Sequence, residues 1–242
     1  MASDIILIRG LFRGKYHWGA FPDTLQSFFP NQNVISVDIP GAGDLFFQDS
    51  PSSIEGMVES IRSQLNRSKK FNIISISMGG MIALKWAELY PEEVDHLVCI
   101  NTNAKGFSPF YHRLILKNYV TILRALFSSP HQKERLIYSM VSNKALDVKV
   151  IEDWVAINQA HPMRRKNFFR QFSAALKFEA EKPNCKLLFI SSRLDRLVSY
   201  KATQAIAKKW NETLIENPLD GHDIPLDNPE WLCQQLVKWI KD

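Results

Sequence analysis

Ser77, Asp195 and His222 are the residues of this 242-residue chain whose types and settings could together carry out nucleophilic catalysis. Ser77 ends the apolar run at 71–76 and is followed at once by Met78-Gly79-Gly80, which opens a helical pattern running to Tyr90. A strand-to-helix turn holds a hydroxyl clear of the sheet. The helix behind it directs free N–H groups and a partial positive charge at the reacting centre. Gly79 and Gly80 let the backbone double back without Cβ clashes. A serine hydroxyl needs a base to take its proton and a third group to orient that base. The run at 186–191 reads as a buried strand leading into Ser192-Arg193-Leu194-Asp195, so Asp195 stands just past a strand's carboxyl end. A short strand at 213–216 leads into a loop at 217–223, which sets His222 at the same end of the sheet. Asp223 is the rival acid. Adjacent side chains in an irregular turn tend to diverge, whereas a strand-end carboxylate can approach the imidazole from the side, so Asp195 is preferred. The other histidines, His17, His96, His112, His131 and His161, read as solvated side chains.

These segments carry a resemblance. Ser75-Ile76-Ser77-Met78-Gly79 is similar to the G-x-S-x-G nucleophile elbow of the α/β-hydrolase superfamily, with Ser75 in place of the first glycine. The order Ser77, Asp195, His222 is that superfamily's order. Arg9-Gly10-Leu11 resembles the loop in which the family usually has His-Gly and an apolar residue, with Arg9 as the departure. The resemblance implies that the main-chain N–H groups of Leu11 and Met78 form the oxyanion hole. Phe12 is a candidate for the acyl-pocket lining, and Phe107, Phe110 and Tyr111, by their position before the helical stretch, are either core or lining of the same pocket. Asp38-Ile39-Pro40-Gly41-Ala42-Gly43 resembles the family's D-x-P-G-x-G turn. Gly41 and Gly43 could be misread as a dinucleotide fingerprint, but Phe46 stands where the third glycine would be.

The elements needed to position these residues follow from pattern. Strands near 4–8, 33–38, 71–76 and 94–101 alternate with helical stretches near 22–29, 53–66 and 79–90, which argues for a parallel sheet with helices on both faces. In the family's order the first strand here would be the third, leaving about six strands. Residues 102–182 read as several helices broken at 128–130, 142–144 and 161–162. The resemblance makes this segment a helical cap inserted into a core formed by 1–101 and 183–242. The composition, 45% hydrophobic, suits one domain with a sizeable core. Cys99, Cys185 and Cys233 are scattered, with no C-x-x-C, and fit reduced thiols in a cytoplasmic setting. No metal-ligand spacing appears, and the apolar run before Arg9 is too short for a membrane span.

Charge is uneven. Residues 102–182 carry 14 Lys or Arg against 6 Asp or Glu, whereas the remainder has 16 against 19. In the helix after Pro162, Arg165, Phe169, Phe172 and Leu176 share one face, expected to close on the sheet or pocket. Lys166, Arg170 and Lys177 share another. That basic face is either a solvated surface or a landing site for an acidic carrier protein or an anionic acyl group. The combined expectation is a cofactor-free serine hydrolase acting on carboxylic esters or thioesters. The basic cap is similar in character to that of pimeloyl-acyl-carrier-protein methyl ester esterases. The same fold also hosts lyases, cofactor-free haloperoxidases and non-catalytic binding proteins. No nucleic-acid-binding motif accompanies the basic residues.

Overall fold

A computed structural model describes residues 3–66 and 70–241. Six strands form one all-parallel sheet: β1 (Asp4–Ile8), β2 (Val34–Val37), β3 (Phe71–Ile76), β4 (Val94–Ile100), β5 (Lys186–Ser192) and β6 (Thr213–Asn217), in the order β2-β1-β3-β4-β5-β6. The α/β-hydrolase-type sheet of six strands is as the sequence implied. Parallel strands are covered on both faces, and β1, β3 and β4 accordingly read as near-continuous apolar runs.

Side chains alternate along each strand between two helical layers. Ile6 and Ile8 face the layer formed by α2 (Ile54–Arg62), α3 (Met78–Leu89) and, over β5, α9 (Tyr200–Trp210). Ile5 and Leu7 face the other way, onto α1 (Phe21–Phe28) and α11 (Pro229–Lys241), the helix that follows the single turn α10 (Ile224–Asp227). The helix expected at 53–66 ends at Arg62. Its start is fixed by Ser53, whose side chain accepts the Gly56 N–H and so satisfies one of the helix's free donors.

Between β4 and β5 lie α4 (Phe110–Arg113), α5 (Lys117–Leu126), α6 (Pro130–Val141), α7 (Val148–Ala160) and α8 (Arg165–Lys177). The expected breaks at 142–144 and 161–162 fall between helices, and the one at 128–130 runs into the first residue of α6. Ser129 caps α6 with Pro130 in its first turn, and Asp147 caps α7 by accepting the Lys149 and Val150 N–H groups. Tyr138, Met140, Ile151 and Trp154 form a small core of their own between α6 and α7.

The strand order decides where a site can form. From β1 the chain crosses outward to β2, then returns to pair β3 on the other side of β1. The loops after β1 and β3 therefore leave in opposite directions and open a crevice at the carboxyl ends of those strands. Gly10 and Ser77 stand at that crevice.

Candidate active site

Ser77 is the N-cap of α3 and adopts φ 58°, ψ −122°, a region that side-chain-bearing residues seldom occupy. The turn is held by close packing. A Cβ on Gly79 would lie 2.4 Å from the Ile8 carbonyl oxygen, and one on Gly80 would lie 2.6 Å from the Thr102 side chain. Thr102 Oγ1 also donates to the Ser77 carbonyl at 2.9 Å. Ser75, the residue in place of the motif's first glycine, is fully buried and donates its hydroxyl to the Val98 carbonyl at 2.8 Å. Serine is accommodated there because its polar atom has a partner inside the sheet.

His222 sits in the loop after β6, with Nδ1 2.6 Å from Asp195 Oδ2. The other oxygen, Asp195 Oδ1, accepts the N–H groups of Leu197 and Val198 at 2.7 and 2.9 Å, so the carboxylate has no freedom to turn away. An ionised Asp195 requires the proton on Nδ1, which leaves the Nε2 lone pair of His222 free to accept one. The His222 loop is fixed from below by Asn101, whose Nδ2 donates to the His222 carbonyl at 2.8 Å and whose Oδ1 accepts the Ser192 N–H. Asp227 holds the preceding residue by accepting the Gly221 N–H at 2.7 Å.

Asp223 has a different partner. Arg9 reaches it with both terminal nitrogens, at 3.1 and 2.6 Å, and lies 4.6 Å from the Trp18 ring centroid. Both side chains are buried. The residue that departs from the usual histidine thus ties the loop after β1 to the loop carrying His222, and it occupies the rival carboxylate.

The loop after β1 turns tightly over Ser77, since a Cβ on Gly10 would stand 3.1 Å from Ser77 Cβ. Among the described residues, the Leu11 N–H has no hydrogen-bond acceptor. Its neighbour Phe12, at φ 58°, donates its N–H to Gln171 Oε1 at 2.9 Å. Gln171 is fully buried on α8 and its amide nitrogen donates to Ser50 Oγ at 3.0 Å. Met78 is the first residue of α3, where a helix leaves its N–H groups unpaired. Gln171, Asn101 and Asp227 are the positioning residues that sequence reasoning missed. An Asn just after an apolar strand run, a residue type that tolerates positive φ, gives a weak signal for Asn101 at φ 48°, but nothing local distinguishes Gln171 from a solvated helix residue.

Ser77, His222, Leu11 and Met78 all line one cavity of about 190 Å³, whose wall is mainly apolar and is completed by α5, α6 and α8. Of the aromatic candidates, Phe12 and Phe110 line it. Phe107 does not: its ring packs edge-on against Trp210 at 5.3 Å, in a separate cleft. Tyr111 is 47% exposed, and its ring meets those of its neighbours Phe110 and His112 edge-on. The α8 expectation also needs correcting. The helix turns Asn167, Phe168, Gln171 and Ala174 inward, leaving Phe169 exposed while Phe172 and Leu176 reach the cavity. Lys166 and Arg170 pair with Asp49 rather than standing alone. Two histidines expected in solvent are buried: His96 lies on β4 beside Asn72, and His17 lies against Trp154. Burial lowers the His17 pKa well below the ordinary imidazole value, and the Arg13 and Arg9 cations reinforce the shift. The turn at 38–43 runs into a short 3-10 segment, Gly43–Leu45, and not into the helix that a dinucleotide site requires.

Among the described residues there is no helix long and apolar enough to cross a membrane and no cluster of three or more potential metal ligands. Comparison with known proteins finds a Haemophilus influenzae protein named "Putative esterase/lipase", 20% identical over 98% of this chain and 82% of its own length. A second relative is the biotin biosynthesis bifunctional protein BioHC of Teredinibacter turnerae. It is 26% identical over 81% of this chain, which spans only 33% of that protein. Among solved structures, a hydrolase from Oleispira antarctica superposes with a TM-score of 0.78 at 17% identity, covering 100% of this chain and 92% of that one. A family model for the alpha/beta hydrolase fold matches residues 5–229, and the chain belongs to that family.

Proposed function

We propose that this protein is a serine hydrolase of carboxylic esters, or thioesters, working through an acyl-enzyme. The observation that carries this reading is the His222–Asp195 pair, 2.6 Å apart, opening onto the cavity that Ser77 enters from its elbow. His222 Nε2 takes the Ser77 proton as Oγ attacks the acyl carbon, and the Leu11 and Met78 N–H groups stabilise the tetrahedral oxyanion. The same imidazole then returns the proton to the leaving alkoxide or thiolate. Water, deprotonated by His222, releases the acid and restores Ser77. The segment at 102–182 acts as a cap whose helices α5, α6 and α8 close the apolar side of the acyl pocket.

A fluorophosphonate probe should label the wild type at Ser77, and Ser77→Ala should neither label nor hydrolyse nitrophenyl esters. Labelling that persists at another residue in the alanine variant would reject the assignment.

A narrower reading, hydrolysis of an ester carried on an acidic acyl carrier protein, draws on the BioHC relative and on the cationic cap. Reversing Lys166, Arg170 and Lys177 to Glu should then raise KM for a carrier-linked ester and leave a small neutral ester unaffected. Unchanged KM on both substrates would reject the carrier.

A further inference from the structure

The cap presents an apolar surface that the cavity does not use. Helical spacing divides α5 into stripes. Asn118 and Ala125 face inward, and Asn118 Nδ2 donates to the Arg196 and Leu197 carbonyls at 2.7 and 3.3 Å. Tyr119, Ile122 and Leu126 line the cavity. Leu116, Val120, Leu123 and Phe127, spaced by four, three and four, face solvent with 56, 64, 56 and 68% of their surface exposed. On α8, exposed Phe169 lies one turn beyond Arg165. A contact between the Tyr119 and Phe172 rings, with centroids 6.5 Å apart, joins α5 to α8.

The charged side chains beside the α5 row are cations. Lys117 and Arg124 lie on the flank of α5 between its inward and outward stripes, and Arg165 reaches from α8 to within 4.8 Å of the Phe127 ring centroid. None of the three has a carboxylate partner among the described residues. No Asp or Glu occurs from Lys105 to Lys133, nor in α8. An exposed apolar row of this extent marks an interaction site, and its cationic rim selects the occupant.

We propose that this face docks on an anionic lipid bilayer. Leu116, Val120, Leu123 and Phe127 enter the boundary between headgroups and acyl chains, while Lys117, Arg124 and Arg165 meet the headgroup charges. A bilayer supplies both things the face asks for: a continuous apolar phase for a convex row of side chains, and fixed negative charge beside it. A second copy of this chain would set the same cations against each other. The docking stands independently of Ser77. Its use rests on the serine-hydrolase reading: α5 carries lipid on one face and the acyl cavity on another, so an apolar ester can pass from bilayer to pocket along one helix.

Flotation with vesicles of phosphatidylcholine, alone or mixed with phosphatidylglycerol, tests the proposal at low and high salt. The wild type should bind the anionic vesicles at least about tenfold more tightly than the neutral ones, since each cation near a charged leaflet adds to the attraction. Leu123→Glu with Phe127→Glu should abolish binding. Lys117→Gln with Arg124→Gln should weaken it and flatten its salt dependence. Both variants should hydrolyse a small soluble ester like the wild type, because none of these four side chains lines the cavity. Ser77→Ala should bind vesicles normally while losing turnover, which separates failure of docking from failure of the catalytic reading. Absence of vesicle binding, equal affinity for neutral vesicles, or unchanged binding by the double Glu variant would overturn the proposal. So would a solution dimer that the Glu substitutions dissociate, or salt-sensitive capture of an acidic carrier protein without vesicle binding.

Discussion

Two carboxylates compete for His222 in the sequence, and the contacts of each separate them. Asp195 holds Nδ1 at 2.6 Å and is itself pinned by two main-chain N–H groups, whereas Asp223 is taken by both ends of the Arg9 guanidinium. Asp195→Asn should therefore lower kcat by on the order of 10⁴ with little loss of stability, as when a triad carboxylate is neutralised and the imidazole adopts the wrong tautomer. Asp223→Asn should do the reverse. It strands a buried arginine, which costs about 3–5 kcal/mol when one partner of such a pair is removed. Thermal melts and ester turnover on the two variants check this, and Arg9→Met with Asp223→Leu should be more stable than Asp223→Asn alone. The preference for Asp195 was legible because strand ends and chain order are local patterns. The role of Arg9 was not, because its partner lies 214 positions away in the chain and only the β1–β3 crevice brings the two loops together.

At the scale of elements, the elbow is a strained turn held by its neighbours, and its energetics can be read apart from its chemistry. Ser77 at φ 58° bears a conformational cost on the order of 1–3 kcal/mol that glycine would escape, while the extra unfolded-state freedom of glycine gives back less than about 1 kcal/mol. Ser77→Gly should therefore be more stable than Ser77→Ala by on the order of 1 kcal/mol, with both inactive. Denaturant midpoints of the two variants decide it, and an alanine variant at least as stable as the glycine one would show that the turn is not strained. The other loop of the site depends on an element that the sequence placed but faced wrongly. Spacing alone set Phe169 inward on α8, yet the buried amides Asn167 and Gln171 fix the helix rotation by reaching the Ser50 N–H and the Phe12 N–H. Hydrophobic periodicity cannot register polar side chains used as anchors. Gln171→Leu should release the Phe12 N–H and lower kcat for a neutral ester more than it raises KM. Labelling of Ser77 by fluorophosphonate should slow in parallel if the loop after β1 shapes the oxyanion hole.

For the whole molecule, six strands and their helical layers were legible because a doubly covered parallel sheet imprints continuous apolar runs, whereas the reversal of strand order that opens the crevice beside Ser77 is seen only in the fold. Burial of isolated polar groups was not legible either, and His17 has a consequence for stability as a whole. It lies against Trp154 of α7, with Arg13, Arg9 and Lys133 contributing to a pKa held below the ordinary value, after burial itself. In the unfolded chain the same imidazole titrates at about 6.5. The unfolded state therefore binds a proton that the folded state refuses as pH falls below that value, so stability declines with acidification from about pH 6.5 downward. The other buried histidine, His96, is shifted in the same direction by burial and adds to the slope. Carboxylates with lowered pKa values, such as Asp44 and Asp49, act only at lower pH, below the ordinary range of about 3.9 for Asp. Between pH 7 and 5 the unfolding midpoint should fall for the wild type and fall less for His17→Gln, which cannot take up the proton. A His17→Gln variant with the wild-type slope would mean that acid enters the fold elsewhere.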